Sequence, residues 1–399
     1  MPGEDELFQM ELNLHPNEAS GLLMIGNQEL LEEHGWDLGF WACLDEGEIE
    51  DCVAAIGHHR GYTDEEGWEI ERLRAEASGA AGKTEDAEAI TRDESTGYVY
   101  ILGSQFGGKD GPLQPKRSFV ARFREADVGH VTEEPATELD VCRRSFVLHR
   151  LINDALEERG PDLIPLGEQS HKALIAATLR RGEKENKKWA GLVREDDYPI
   201  NIEGAAFRES GTLLLGLRFP TTAEGRPILV ELEGISRLFD PEGALPEVRG
   251  FWTADAVGKG GEMAGVRDLA LLKTGEGEEL HLVTGNVDSR DKQSVLIQDY
   301  PGGRETVATH FHWYCPRMPT PAPSQPSSSA SSQAYRASRA CPLHQKGAPT
   351  TLRTKTRVCI CASPDSWWAD ACHSMTASPP SETISRRHLP GSPQRGYPG

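Results

Sequence analysis

Three acidic residues, Glu88, Glu203 and Asp268, stand at the heads of three segments that look like copies of one another. The segments are DAEAITRDESTGYVYILGS (Asp86 to Ser104), NIEGAAFRESGTLLLGLR (Asn201 to Arg218) and VRDLALLKTGEGEELHLVTGN (Val266 to Asn286). Each acid is followed by two or three small or apolar residues, a polar turn and an apolar run that ends in Gly103, Gly216 or Gly285. The acid-to-glycine spacings are 15, 13 and 17 residues. Carboxylates are hard oxygen donors suited to Ca2+ or Mg2+. A divalent ion held by the three would polarise a phosphoester or carboxyester, or activate a water. Arg218 and Arg267 lie beside the repeats, and Lys116 and Arg117 follow the first; such cations suit the anionic oxygens of a substrate. The same residues also support a purely structural reading, in which each carboxylate pairs with an arginine, Glu203 with Arg267 for example, and ties neighbouring units together.

These residues need elements to position them. The repeated unit reads as strand, turn and strand, and internal repetition is the strongest architectural signal a sequence carries. Stacked radially, such units form a β-propeller whose inner strands line a central channel, on which the three acids would converge. The expected fold is therefore all-β and propeller-like, with the number of blades left open. SFVARFR (Ser118 to Arg124), Ile228 to Leu232, residues 248–257 and SVLIQDY (Ser294 to Tyr300) read as further strands by alternation. Residues 7–13 and THFHWY (Thr309 to Tyr314) read as shorter ones, Leu22 to Ile25 is a short apolar run, and residues 64–77 read as either a partial helix or an extended strand. The rhythm breaks at 145–181. There Phe146, Leu148, Leu151, Ile152, Ala155 and Leu156 mark one helical face, Gly160 and Pro161 supply a stop, and HKALIAATLRR (His171 to Arg181) reads as a second helix. This is expected to be a helical insertion between blades. The basic run RRGEKENKKW (Arg180 to Trp189) after it reads as a solvated face.

Composition divides the chain of 399 residues in two. Residues 1–314 carry 32 Lys and Arg against 60 Asp and Glu, whereas residues 315–399 carry 10 against 3. The acidic body would be repelled by nucleic acid and by anionic membranes, so neither is expected as a partner. The last 85 residues hold 13 of the 26 prolines and five of the eight cysteines. A Pro/Ser/Arg/Cys-rich segment of this kind lacks the apolar surface to offset its ordering entropy. It is expected to be a disordered tail at 315–399, behind a domain at 1–314, and its composition is also that of out-of-frame translation of a GC-rich gene. No basic-then-apolar leader opens the chain and no run approaches a membrane span, so the expected compartment is the cytoplasm. GAAGKT (Gly79 to Thr84) resembles the end of a phosphate-binding loop, but Ala77 stands where the pattern needs glycine. In HFH (His310 to His312) a strand would place both imidazoles on one face, without a third ligand beside them.

The segments around Ile202–Arg218 and Gly265–Ala270, with DAEAITRDESTGYVYILGS, resemble the bacterial family of domain of unknown function 3616 over roughly residues 80–300. The resemblance implies a β-propeller-like fold and no established activity. The first copy departs from the family's acid–glycine pair in having Ala89. More distantly, an acid–glycine pair opening a strand looks like that of phytase-like and esterase-like propellers, where channel carboxylates bind calcium. Two functions follow as expectations. The first is a non-catalytic propeller that binds a small molecule or a protein at one rim or in the channel. The alternative is a divalent-metal-dependent hydrolase of phosphoesters or carboxyesters that uses the channel carboxylates.

Overall fold

The computed structural model describes Leu12, Leu14 and residues 19–45, 47–63, 65–77, 84–254, 263–273, 277–289, 293–304, 306, 308–316, 350–359 and 372–376. These form four separate sheets in chain order. Sheet 1 is the meander β1 (Ala19–Met24), β2 (Trp36–Leu44), β3 (Val53–His59) and β4 (Trp68–Leu73). A short helix α1 (Gln28–Glu33) joins its first two strands, with the Asn27 side chain accepting from the Glu29 and Leu30 amides. The chain then crosses over. β5 (Ala75–Ala77) leaves sheet 1 and pairs in parallel with the far edge of sheet 2. Sheet 2 is the meander β6 (Ala87–Asp93), β7 (Tyr98–Gly103), β8 (Val120–Arg124) and β9 (Thr137–Cys142). Sheet 3 comprises β10 (Asn201–Phe207), β11 (Leu213–Phe219), β12 (Ile228–Glu233) and β13 (Glu247–Thr253). Sheet 4 comprises β14 (Gly265–Lys273), β15 (Gly277–Gly285), β16 (Ala308–Pro316), β17 (Thr350–Cys359) and β18 (Cys372–Thr376).

The sheets pack face to face in order. One apolar layer joins sheets 1 and 2 through Trp41, Val53, Ile90, Ile101 and Phe123. A second joins sheets 2 and 3 through Tyr100, Leu102, Phe207, Leu215 and Val230. A third joins sheets 3 and 4 through Leu214, Leu229, Val266 and Leu282. A strand covered on both faces loses the apolar–polar alternation, and all seven residues of β10 are buried. Each fully buried aliphatic side chain contributes about 1.5–3 kcal/mol, so these layers dominate the stability. The first strands meet in series, β1 on β6, β6 on β10 and β10 on β14. The protein is thus β-rich, built of small antiparallel sheets, and no closed barrel or complete propeller ring is formed among the described residues.

Partly buried charged contacts bridge adjacent sheets. Glu125 accepts from Trp41 Nε1 (2.8 Å) and Gly26 N (3.0 Å) of sheet 1 and pairs with Arg92 at 3.1 Å. Arg208 of sheet 3 spans Glu231 (3.1 Å) and Glu278 of sheet 4 (2.9 Å).

The helices gather where expected. α2 (Val147–Arg159) is followed by α3 (Glu168–Ser170), which runs through a π-helical stretch (His171–Ala176) into α4 (Ala177–Lys184). The insertion lies between β9 and β10 in the chain, but in space it is a cap. Leu174, Ile175 and Val193 pack with Phe106, Phe146, Phe219, Met263 and Val287, residues that leave or enter sheets 2, 3 and 4 at one end.

Some expectations need correction. Ser294 to Tyr300 is not a strand; Val295–Asp299 is a short helix, α5, with the Ser294 side chain accepting from Ile297 N. A short apolar run carries no period of its own, and here the cap and the packing of Leu296 and Ile297 beneath the insertion decide it. Residues 64–77 resolve as the strands β4 and β5. Within the expected tail, Cys315, Pro316, Thr350–Cys359 and Cys372–Thr376 extend sheet 4, β17 pairing with β16 and β18 with β17. The rest of that segment, most of residues 7–13 and Gly79 to Lys83 lie outside the described residues. Among the described residues no helix is long and apolar enough to cross a membrane.

Candidate functional site

Each first strand carries a β-bulge near its start, and the bulges define which residues are equivalent. In β6, Ala87 opposes Gly103 and Ala89 opposes Leu102, so Glu88 is the extra residue. In β10, Ile202 opposes Leu217 and Gly204 opposes Gly216, so the extra residue is Glu203. In β14, Val266 opposes Thr284 and Asp268 opposes Val283, which leaves Arg267 as the extra residue. In β1, Ala19 opposes Leu44 and Gly21 opposes Cys43, which leaves Ser20. The repeated unit therefore occurs four times, and its marked position reads Ser20, Glu88, Glu203 and Arg267. Close contacts repeat with the same offset. A Cβ on Gly21, one past the bulge, would lie 3.5 Å from Ile90 N, two past the next bulge; a Cβ on Gly204 would lie 2.9 Å from Leu269 N. These approaches explain why the position after the acid is small.

Asp268 is thus not the counterpart of Glu88 and Glu203. It lies one residue past the bulge, accepts from Leu269 N at 2.7 Å, and acts on the buried thiol of Cys43. Nor are Gly103, Gly216 and Gly285 equivalent. They oppose Ala87, Gly204 and Gly265, respectively one before, one after and two before the bulge, and the hairpins also differ in length. The first copy escapes a search for acids because its bulge residue is a serine.

The bulge side chains form a charge cluster. Both oxygens of Glu203, which is 3% exposed, face guanidinium groups: Oε1 lies 2.5 Å from Arg218 Nη1 and Oε2 lies 3.1 Å from Arg267 Nη1. Arg218 is anchored further by Asn286, with Nε 3.1 Å from its carbonyl and Nη2 3.3 Å from Oδ1. The Arg267 contact is an ion pair without hydrogen-bond alignment, since Nη1 is buried and makes no hydrogen bond. Enclosure and the like charge of Arg218 push the Arg267 guanidinium below its ordinary range, whereas Glu203 and Asp288 hold Arg218 above its own against the cost of burial.

Glu88 differs from Glu203. It makes no hydrogen bond and no ion pair with a described residue, and enclosure together with Glu203 and Asp86 pushes its carboxyl well above the usual range. Burial disfavours its charged form. Asp86, two residues earlier at φ 69, accepts from the Ser104 hydroxyl and pairs with Arg117 at 2.9 Å. Burial, offset by Arg117, still raises its carboxyl. Lys116 and Arg117 both hold Glu85, at 2.5 and 3.1 Å.

Of the residues proposed from sequence, Glu88, Glu203, Arg218 and Arg267 come together, Arg117 joins them through Asp86, and Lys116 stands outside on Glu85. Asp86, Ser104, Asn286 and Asp288 were not anticipated; only the first two lie within the first repeat. Among the described residues no three His, Cys, Asp or Glu side chains are arranged to hold a metal ion. His310 stacks on His281, with Nε2 3.1 Å from His281 Nδ1. The three body cysteines, Cys43, Cys52 and Cys142, are free and buried.

Chemically, the cluster neutralises charge across strands and holds one carboxyl, that of Glu88, well above its ordinary range. No protein-family model and no curated protein matches the chain.

Proposed function

We propose that this chain is a propeller-like, non-catalytic binding platform, in which the four sheets act as blades about a common axis and a ligand seats at the capped end. The observation that carries this reading is the state of Glu203. Its two oxygens are engaged by Arg218 and Arg267, so the carboxylate best placed to hold a divalent ion serves instead to tie β10 to β14. Replacing two guanidinium partners by a metal would leave two partly buried cations uncompensated, which is unfavourable.

The recurring bulge, the serial contact of the first strands and the repeated offset between neighbours support a blade-like arrangement. They also agree with the resemblance to the domain of unknown function 3616 family. A cavity of about 510 Å3 opens between sheet 2 and the helical cap, within the range that small-molecule sites occupy.

The test is a metal analysis of the purified full chain, with a phosphoester and carboxyester panel measured with and without Ca2+, Mg2+ and a chelator. The expected outcome is no turnover and no rise of Tm with either ion. Hydrolysis that a chelator abolishes would overturn the reading in favour of a metal-dependent hydrolase.

A further inference from the structure

The cavity between sheet 2 and the helical cap has a chemistry at odds with the rest of the chain. The formal net charge is −21, yet among the described residues no Asp or Glu lines this space, and four cations do: Lys116, Arg143, Arg181 and Lys187. Phe119 and Trp189 supply apolar walls. These side chains come from distant parts of the sequence. Lys116 and Phe119 lie on the connection between β7 and β8, Arg143 follows β9, and the others belong to α4 and the turn after it. The basic run Arg180 to Trp189 is therefore only partly a solvated face.

The four cations are not equally neutralised. Lys116 has Glu85 at 2.5 Å. Arg181 and Lys187 share one acid, Glu185, at 3.5 and 3.1 Å. Arg143 makes no side-chain hydrogen bond or ion pair with any described residue, and its Nε is buried. A buried donor left without a partner costs about 1–3 kcal/mol, and folding alone does not remove that cost here. A planar guanidinium takes a phosphate or carboxylate through two parallel hydrogen bonds. Trp189 is held in place: its ring meets Phe146 edge-on at 4.9 Å, and a Cβ on Gly182 would come within 2.8 Å of it.

We infer that this cavity binds a small phosphomonoester with a flat apolar body, the phosphate on Arg143 among the other cations and the ring against Trp189 and Phe119. The inference rests on the platform reading and names its ligand class. A dianion suits a site with more cations than acids, and the apolar walls favour an organic body over inorganic phosphate.

The test is calorimetric titration of the full chain with 4-nitrophenyl phosphate, 4-nitrobenzoate, inorganic phosphate and 4-nitrobenzyl alcohol. The phosphomonoester should bind tightest, with the other two anions at least tenfold weaker and the neutral alcohol not at all. Binding should weaken as salt rises. Arg143→Gln should weaken it at least tenfold without lowering Tm, because that guanidinium supports nothing else. Lys187→Gln, at an exposed position, should weaken it less. No binding by the native chain at millimolar probe, or an Arg143→Gln variant with unchanged affinity, would overturn the site. If the alcohol binds as well as the phosphate, the cavity is a ligand site but not an anion site, and the platform reading stands. If nitrophenolate is released and Arg143→Gln abolishes the release, the anion site stands and the non-catalytic reading falls.

Discussion

Glu203 and Arg267 occupy the same position on neighbouring first strands, the unpaired residue of the bulge, and their charged ends lie 3.1 Å apart. An acid on one strand is thus answered by a base at the matching place on the next. A bulge turns its extra residue out of the ladder, so a feature of backbone register becomes a means of pairing charges between sheets.

Glu203→Gln keeps the shape of the side chain and removes its charge, leaving Arg218 and Arg267 to repel one another in an enclosed site. Breaking a buried pair at one partner costs about 3–5 kcal/mol. Urea unfolding should report that loss equally with and without added Ca2+. A loss that appears only with Ca2+ present would mean that Glu203 serves an ion.

Glu88→Gln should act through pH. The carboxyl of Glu88 lies well above the ordinary glutamate value of 4.5, by enclosure and the nearby Glu203 and Asp86. The folded state therefore keeps a proton that the unfolded state releases. Stability from this group is greatest below 4.5 and is lost as pH rises toward the folded value. The variant should be the more stable protein near pH 7 and lose its advantage near pH 4. Parallel stability–pH curves for the two proteins would show Glu88 to be ordinary.

Gly265→Ala would place a methyl group 2.3 Å from the carbonyl oxygen of Arg218. That clash is with backbone and cannot be relieved by a rotamer, so a loss of about 1–3 kcal/mol is expected. Gly250→Ala, in the outer strand β13 with nothing within 4 Å, is the control and should change stability by under about 0.5 kcal/mol. Equal effects from the two would show that β11 and β14 do not approach closely.

The thiols of Cys43 and Cys52 are fully enclosed and pushed well above their ordinary range by burial, then by Cys52 in the case of Cys43 and by Glu50 in the case of Cys52. Since the thiolate is the reactive form, both should resist iodoacetamide at pH 8 until the body unfolds. Mass spectrometry should find labelling more than about a thousandfold slower than in denaturant, as expected when modification requires global opening. Fast labelling of either residue would place the opening of sheet 1 well below global unfolding.

Local pattern was enough for much of the fold. Alternation in residues 118–124 and 228–232 marked β8 and β12, because each strand's side chains meet different surroundings on its two faces. The helical face from Phe146 to Leu156 marked α2, because one side of it lies on a core. The repeated segments marked three of the four first strands. The fourth was hidden, since Ser20 replaces the acid and Trp36–Leu44 is too uniformly apolar to show a period.

By itself, the sequence determined that the chain is β-rich, that its longest helical stretch is one insertion, and that acids recur at strand starts. All of these follow from interactions within a few residues. Which charged residue stands at each bulge was decided only by the tertiary structure. A one-residue bulge shifts equivalence from Asp268 to Arg267 without changing anything that spacing can reveal, and the pairing of Glu203 depends on how sheets 3 and 4 pack. The same holds for Arg143. Its type was plain from the start, but that it lacks a counter-charge among the described residues emerges only when segments far apart in the chain close one cavity around it.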